Sequence, residues 1–537
     1  MLSRSQIAGA RLVTVLALTV RGTRYRVATR SLSVANTDPT EGASLLQIAG
    51  GLTEPDIVAE LEPGDGVGVE VLVPQKWHAE IIAGLADATG ELCQIREGDD
   101  WQDRVVLVRG SVLEPVYGDS SEPLSFTLSS DPWSDRALLP LSTWQVTAST
   151  WPRSGSSLAV PESTLEWWYP VVFGEPGATL TDARAVPALL VELDAGTGDN
   201  SANDATVLLC VGDCTCIGGS VTLYNDSQET SATVTPEATT DALGQPVVVA
   251  IVPAATLAIA DGDELWWCPT AGSGGLRSPG STSTMRGAGD IVAYLLGLST
   301  VPVATDRMQA AIAELNRYTL DFYLNDPVSP LSVVVDQIAA VLPFRLVADG
   351  AEGVYPVAIR WNATSADATW IIDPSTRGGY RSSPVSVGSV RDVASTIRLD
   401  FAPDAKEGGY HAHITAAPTT VTDDPYQQPH PRCRAAATRW PGERISSIET
   451  GVIADLSSAV LALEYLVTQA TDLTETVEVV LPQEYQAMQP GDVALVTLAE
   501  VGWSARVCQV VRVPRIEGQI VATFQTLPDW IRRMGGE

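Results

Sequence analysis

The feature that most limits what this chain can fold into is the form of its apolar runs: they are short, several alternate with period two, and turn residues separate them. From Leu124 to Ser129, Leu124, Phe126 and Leu128 point one way while Ser125, Thr127 and Ser129 point the other. That is a strand with one face in a core and one in solvent. Turn signals such as Glu97-Gly98-Asp99-Asp100 and Tyr117-Gly118-Asp119 bound such runs. Short strands joined by turns make barrels or sandwiches, so the expected fold is mostly β with a minor α+β part. At 537 residues the chain exceeds one ordinary core, and roughly three or four domains are expected.

Residues 1–140 read as an N-terminal β-barrel-like domain, with strands at 11–20, 24–34, 67–73, 91–96, 104–113 and 123–129 and a short helix around 77–86. The apolar run from Leu12 to Val20 superficially suggests a signal peptide. Thr14 and Thr19 interrupt it, however, and Arg21-Gly22-Thr23-Arg24 follows at once, so strand–turn–strand fits better. Residues 141–284 read as an inserted β-rich domain. It opens in a Ser/Thr/Pro-rich stretch, Ser142 to Ser163, and has strand candidates at 166–173, 188–193, 206–211, 219–224 and 246–252.

Residues 285–384 change period into an α+β domain. Helices are expected from Asp290 and, capped by Thr305, through Met308, Ile312 and Leu315. A third starts at Ser329-Pro330, a cap followed by proline in the first turn, and carries Leu331, Val334, Val335, Ile338, Val341 and Leu342 at helical spacing. A hairpin follows, turning at Asp349-Gly350. Residues 385–537 read as a C-terminal β-barrel-like domain with strands at 395–401, 409–415, 476–481, 493–498, 505–513 and 519–526. Its one helix has Leu456, Val460, Leu463 and Val467 on a stripe. No stretch reaches the roughly 18 apolar residues of a membrane span, so no stable membrane insertion is expected.

Asp and Glu total 65 against 33 Lys and Arg, a net charge of −32. Such a surface repels phosphate backbones and anionic membranes. It keeps subunits soluble before assembly, or lines a conduit that nucleic acid passes without sticking. The seven cysteines are an odd, mostly scattered set, which argues against a secreted disulfide framework. Reduced, buried thiols made in a cytoplasm are expected.

Signatures of phosphate loops, dinucleotide turns, nucleophile elbows, zincin helices and calcium loops are absent from the sequence. With only four histidines there is little material for acid–base work at neutral pH. No enzyme activity, no cofactor and no metal are expected. Two clusters are the residues a metal would use. His411 and His413, at i and i+2 on a strand, share a side and could be joined by His430 and Cys433; the alternative is a polar strand face beside a Pro-rich loop. Cys210, Cys214 and Cys216, with Cys268 further on, could bind zinc, but their spacing departs from the usual pairs. The acids Asp194, Asp199 and Asp204 among Gly196, Gly198, Asn200 and Asn203 suit calcium or a solvated turn. Trp167-Trp168 beside Tyr169, and Trp266-Trp267, could stack on sugar, with one member of each pair in a core.

The order of elements resembles the tail hub proteins of bacteriophages and gene transfer agents. The residues that carry this are the helix at 455–468 followed by Leu481-Pro482, Met488, Pro490-Gly491-Asp492-Val493, turns near Gly502 and Glu517-Gly518, and Leu527-Pro528-Asp529-Trp530. The helix and hairpin of 330–360 and the phrase Trp168-Tyr169-Pro170-Val171-Val172-Phe173-Gly174 are similar to that family too. The resemblance implies a homotrimer in the virion tail tip or baseplate, assembled in the host cytoplasm. Two barrels per subunit would give a pseudo-sixfold ring, between a distal tail protein and a spike or fibre. The channel would admit the tape-measure protein and later DNA, without binding it specifically. The alternatives are the distal tail protein itself, a tail-associated cell-wall hydrolase working through the insertion acids or the His411/His413/His430 group, or a glycan-binding protein.

Overall fold

The computed structural model describes residues 12–37, 45–55, 67–85, 88–116, 122–129, 137–153, 156, 158–180, 183–194, 205–349, 353–373, 381–389, 393–422, 424, 429–442, 444–485, 487–513, 515–516 and 519–527. It is mostly β and built from several sheets. The turns expected at Tyr117-Gly118-Asp119 and Glu517-Gly518, the hairpin tip Gly350 and the end at Pro528-Asp529-Trp530 lie outside the described residues.

β1 (Leu12–Val20), β2 (Thr23–Ala28), β3 (Leu32–Ala35), β4 (Leu45–Gly50), β5 (Val67–Val71), β6 (Thr89–Arg96), β7 (Val105–Val116) and β8 (Leu124–Ser129) form one sheet in the order β3-β4-β2-β1-β6-β7-β8-β5. The apolar run that mimics a signal peptide is β1, in the middle of it. Its even-numbered Leu16, Leu18 and Val20 join a core with Leu92 and Phe126, and its odd-numbered Val13 and Val15 join a second core with Val34 and Trp101. A strand covered on both faces needs a nearly continuous apolar run. The sheet curls into a half-barrel, because the chain beyond β4 comes round to β5. Leu72 donates to the Gly51 carbonyl (2.8 Å) and Thr53 to that of Glu70 (3.0 Å). The helix Gln75–Ile82 buries Ile81 in the hollow.

β9 (Val171–Phe173) is a short buried strand. β10 (Val186–Leu193), β11 (Ala205–Val211), β12 (Val221–Asn225), β13 (Thr230–Val234), β14 (Glu237–Thr240), β15 (Pro246–Val252) and β16 (Leu265–Cys268) make a seven-stranded antiparallel sheet, β13-β12-β16-β10-β11-β15-β14. Its two edge strands, β13 and β14, are consecutive in the chain and joined only through Thr235-Pro236. The sheet therefore curls until its edges meet at one bent run, and Pro236, lacking an N–H for a ladder, sits at the corner. The polar composition of 230–240 hid both strands from pattern reading.

β17 (Phe322–Leu324) pairs with β9, and β18 (Phe344–Asp349) pairs with β19 (Gly353–Ala358) as the expected hairpin. Helices run Ala288–Leu298 and Thr305–Leu315. Thr305 is the first helical residue and not the cap, which is Ala304 with no side-chain bond. Ser329 does cap the next helix, accepting from the Ser332 N–H at 3.3 Å. After Pro330–Ser332 that helix widens into π turns over Val333–Ile338, with Ala339 donating to the Val334 carbonyl (2.9 Å). The wider turn shifts the apolar face by about one residue. Val333 is buried and Val335 is 40% exposed, the reverse of what regular helical spacing predicts.

β20 (Trp370–Ile372), β21 (Arg381–Ser382) and β22 (Ser386–Val387) are followed by β23 (Thr396–Pro403), β24 (Tyr410–Ala416) and β25 (Ile445–Glu449), a small sheet ordered β24-β23-β25. The helix Leu456–Ala470 lies on that sheet through Ala459, Ala462, Leu463 and Val467, while Leu456 is 46% exposed. β26 (Glu475–Leu481), β27 (Val493–Leu498), β28 (Trp503–Arg512), β29 (Arg515–Ile516) and β30 (Gln519–Thr526) complete a second eight-stranded sheet with β20, β21 and β22.

Core membership does not follow chain order. One large core runs from Leu139 to Val467 and takes in Ile397, Leu399 and Leu463. Ile372 of β20 instead joins Val479, Val496 and Phe524 in the core of the last sheet. The chain thus carries an eight-stranded sheet towards each of its ends, with cores separate from the large central one.

Candidate functional site

In so acidic a chain a buried carboxylate is costly unless a cation meets it. Only Lys76 and Lys406 are lysines, so arginine supplies most of the counter-charge. Glu192 on β10 is fully buried and accepts from the Arg153 guanidinium (2.8 and 3.1 Å), the Arg153 backbone N–H (2.7 Å) and the Thr206 hydroxyl (2.7 Å). Burial alone would raise its pKa. The bonds from Arg153 and Thr206 outweigh it and hold the carboxyl below the usual range. Arg286 bridges the buried Glu175 (3.1 Å) and Asp321 (2.8 Å). At the end of β12, Asp226 takes both Arg184 and Lys406 at 2.9 Å, tying the turn between β23 and β24 to the seven-stranded sheet.

Near these networks lies a cavity of about 340 Å³, lined by Arg184, Asp321, Tyr323, Asp326, Gln337 and His411 among others. Arg184 and Asp321 already face counter-charges, and His411 lies with Nε2 3.6 Å from Asp404 Oδ2. The arrangement ties elements together and leaves Arg184 and Asp321 committed.

The four residues named for a metal are not brought to one point. His411 faces Asp404, His413 lies 4.0 Å from Asp424, and His430 is buried with Nε2 3.2 Å from Glu464 Oε2. Cys433 is buried on the helix Pro431–Arg439, where burial pushes its thiol up to about 12. Cys210 and Cys214 do approach, Sγ to Sγ 2.9 Å. Burial raises both thiols, and the S–H bonds from Cys210 and Cys214 favour the thiolate of Cys216. Cys268 stands apart from this group and donates to the Pro269 carbonyl (3.4 Å). Among the described residues, no three His, Cys, Asp or Glu side chains form a metal-holding group. Of the acidic stretch only Asp194 is described; Asp199 and Asp204 lie outside the described residues.

Trp266 and Trp267 are both buried, Trp267 donating to the Leu209 carbonyl (3.0 Å). Tyr169 is buried too, between the Trp151 indole N–H (2.9 Å) and Asp241 (3.2 Å). Of these aromatics, Trp167 is 52% exposed and Trp168 is half-buried.

Pattern reading passed over the outer face of the first sheet. There the register places Arg26, Ala17, Glu91 and Arg109 side by side across β2, β1, β6 and β7. Burial would raise the Glu91 pKa, but Arg104 and Arg109 hold it below the usual range. The available signal was the period-two spacing of Arg24 and Arg26, set against the acidic composition.

No protein-family model and no curated protein matches the sequence. Among solved structures, the chain is similar to the tail protein from Neisseria meningitidis MC58, at 9% identity over 96% of this chain and 97% of that one, with a TM-score of 0.33. It is similar also to the 43 kDa tail protein of prophage MuSo2 from Shewanella oneidensis, at 8% identity over 96% and 98%, with a TM-score of 0.33. A chain of the native gene transfer agent virion matches 48% of this chain and 80% of its own length, at 14% identity and a TM-score of 0.17. At TM-scores this low, the reading of function rests on the chain's own residues and sheets.

Proposed function

We propose that the chain is a structural tail-tip protein of a bacteriophage-type particle, the tail hub. The observation that supports this most is the pair of curved or extended eight-stranded sheets, one at each end of the chain, each with cores apart from the central body. Three such chains would present six similar β units around one axis. They would meet a distal tail protein on one side and a spike or fibre on the other. The charge of −32 suits a channel wall that the tape-measure protein and then DNA pass without holding, because an acidic wall offers phosphate few cations. The polar networks of the central body fit this role, since among the described residues they staple one element to another.

Antibody labelling of purified particles by electron microscopy should mark the tip of the tail. Label along the tube, or on no particle, would overturn the assignment. Digestion of purified cell wall that is lost in His411→Ala or His430→Ala would favour the hydrolase instead.

A further inference from the structure

The first sheet carries opposite charge on two flanks. Arg104 (2.7 Å), Arg109 (3.1 Å) and Arg24 (3.8 Å) all close on the single Glu91 carboxylate. Arg26 and Arg104 lie 5.0 and 4.6 Å from the centre of the buried Trp101 ring. Three guanidiniums thus gather about one carboxylate, with Arg26 beside them over Trp101, against the run of the composition, and the Arg109 side chain is 56% exposed. Where β5 pairs with β8, a groove of about 600 Å³ is lined by Glu54, Glu70 and Glu114. A register shift between Leu113 and Val116 places Glu114 there in the left-handed region, at φ +49°. Leu113, next in the chain to Glu114, is 47% exposed, and Leu72 and Val116, two positions from Glu70 and Glu114, are 45% and 64% exposed.

We propose that the arginine face of one copy docks on the glutamate groove of a second copy of this chain. This deepens the assembly reading above and rests on it. Two molecules of charge −32 repel over most of their surfaces, so self-association needs a local match of opposite sign. This sheet supplies both halves of one, with exposed apolar side chains beside the groove to exclude water. Duplex DNA would be drawn to the arginine face but repelled by the groove and by the net charge. Because the two patches differ, the contact is heterologous: an open assembly leaves one patch of each kind unused until a ring closes.

The test is the native mass of the full chain in about 0.1 M and about 1 M salt, where the screening length falls from about 10 to about 3 Å. The contact should weaken at least about tenfold in high salt, and by a similar factor in Glu70→Arg combined with Glu114→Arg. Arg109→Glu should weaken it too, and joining all three changes should restore it. The two exposed glutamates are the fold-safe arm, since Arg109 also holds Glu91; circular dichroism checks that each variant is folded. Assembly indifferent to these reversals, absent rescue, or an Arg109→Glu variant that loses only duplex-DNA binding overturns the proposal and leaves the hub reading standing. A salt-sensitive dimer with rescue supports the contact and overturns the trimer. A monomer at both salts overturns both.

Discussion

Glu192 shows what single residues contribute. Its folded pKa lies below the ordinary glutamate value of 4.5. The stabilisation it contributes is fully present above about 4.5 and is lost as the pH falls through the lower folded value. Glu192→Gln should therefore lower stability at pH 7 by about 3 kcal/mol, since Arg153 loses its counter-charge. Between pH 5 and pH 2 the variant should lose less further stability than the parent. Thermal unfolding across that range checks it, and parallel acid curves would refute it. Nothing in the sequence singles out Glu192 from 65 acids, because its role depends on Arg153, 39 positions away. The histidines erred in the other direction: alternation correctly puts His411 and His413 on one strand, but their carboxylate partners come from turns and loops that spacing does not reveal. All seven cysteines are buried free thiols, so a disulfide-forming thiol reagent should react slowly with the native chain and fully after unfolding. Rapid native reaction would contradict that burial.

Elements were legible where their own residues decide them. β8, β10, β15 and β27 announce themselves by alternation or by continuous apolar runs, and the Ser329-Pro330 start by its capping chemistry. The π turns, the polar strands β13 and β14 and the two- and three-residue strands β20 to β22 were not, because neighbours hold them in place. The glycine pair Gly274-Gly275 belongs to this second group. It lacks the context of a phosphate loop, and the structure gives a different reason for it. Gly275 donates to the Gly174 carbonyl (2.8 Å) and Leu276 to that of Val172 (2.9 Å), so backbone passes against backbone at β9. A Cβ on Gly275 would stand 2.1 Å from the Val172 carbonyl oxygen. Gly275→Ala should cost about 1–3 kcal/mol through this crowding, read as a lower denaturation midpoint with an unchanged slope. Wild-type stability in that variant would mean the loop does not pack on β9 as described.

At the scale of the whole molecule, the mostly β class and the presence of a helix–hairpin unit were readable from periodicity. The way residues 394–467 join the central core was not, because it depends on a long excursion between strands of the last sheet. The ring reading depends on the two end sheets, of eight strands each. The direct measurement is the native mass of the purified full chain at physiological salt. A trimer, at three times the 56.8 kDa chain mass, is what the hub account predicts. A hexamer would point to the distal tail protein, and a monomer at every concentration would contradict the account.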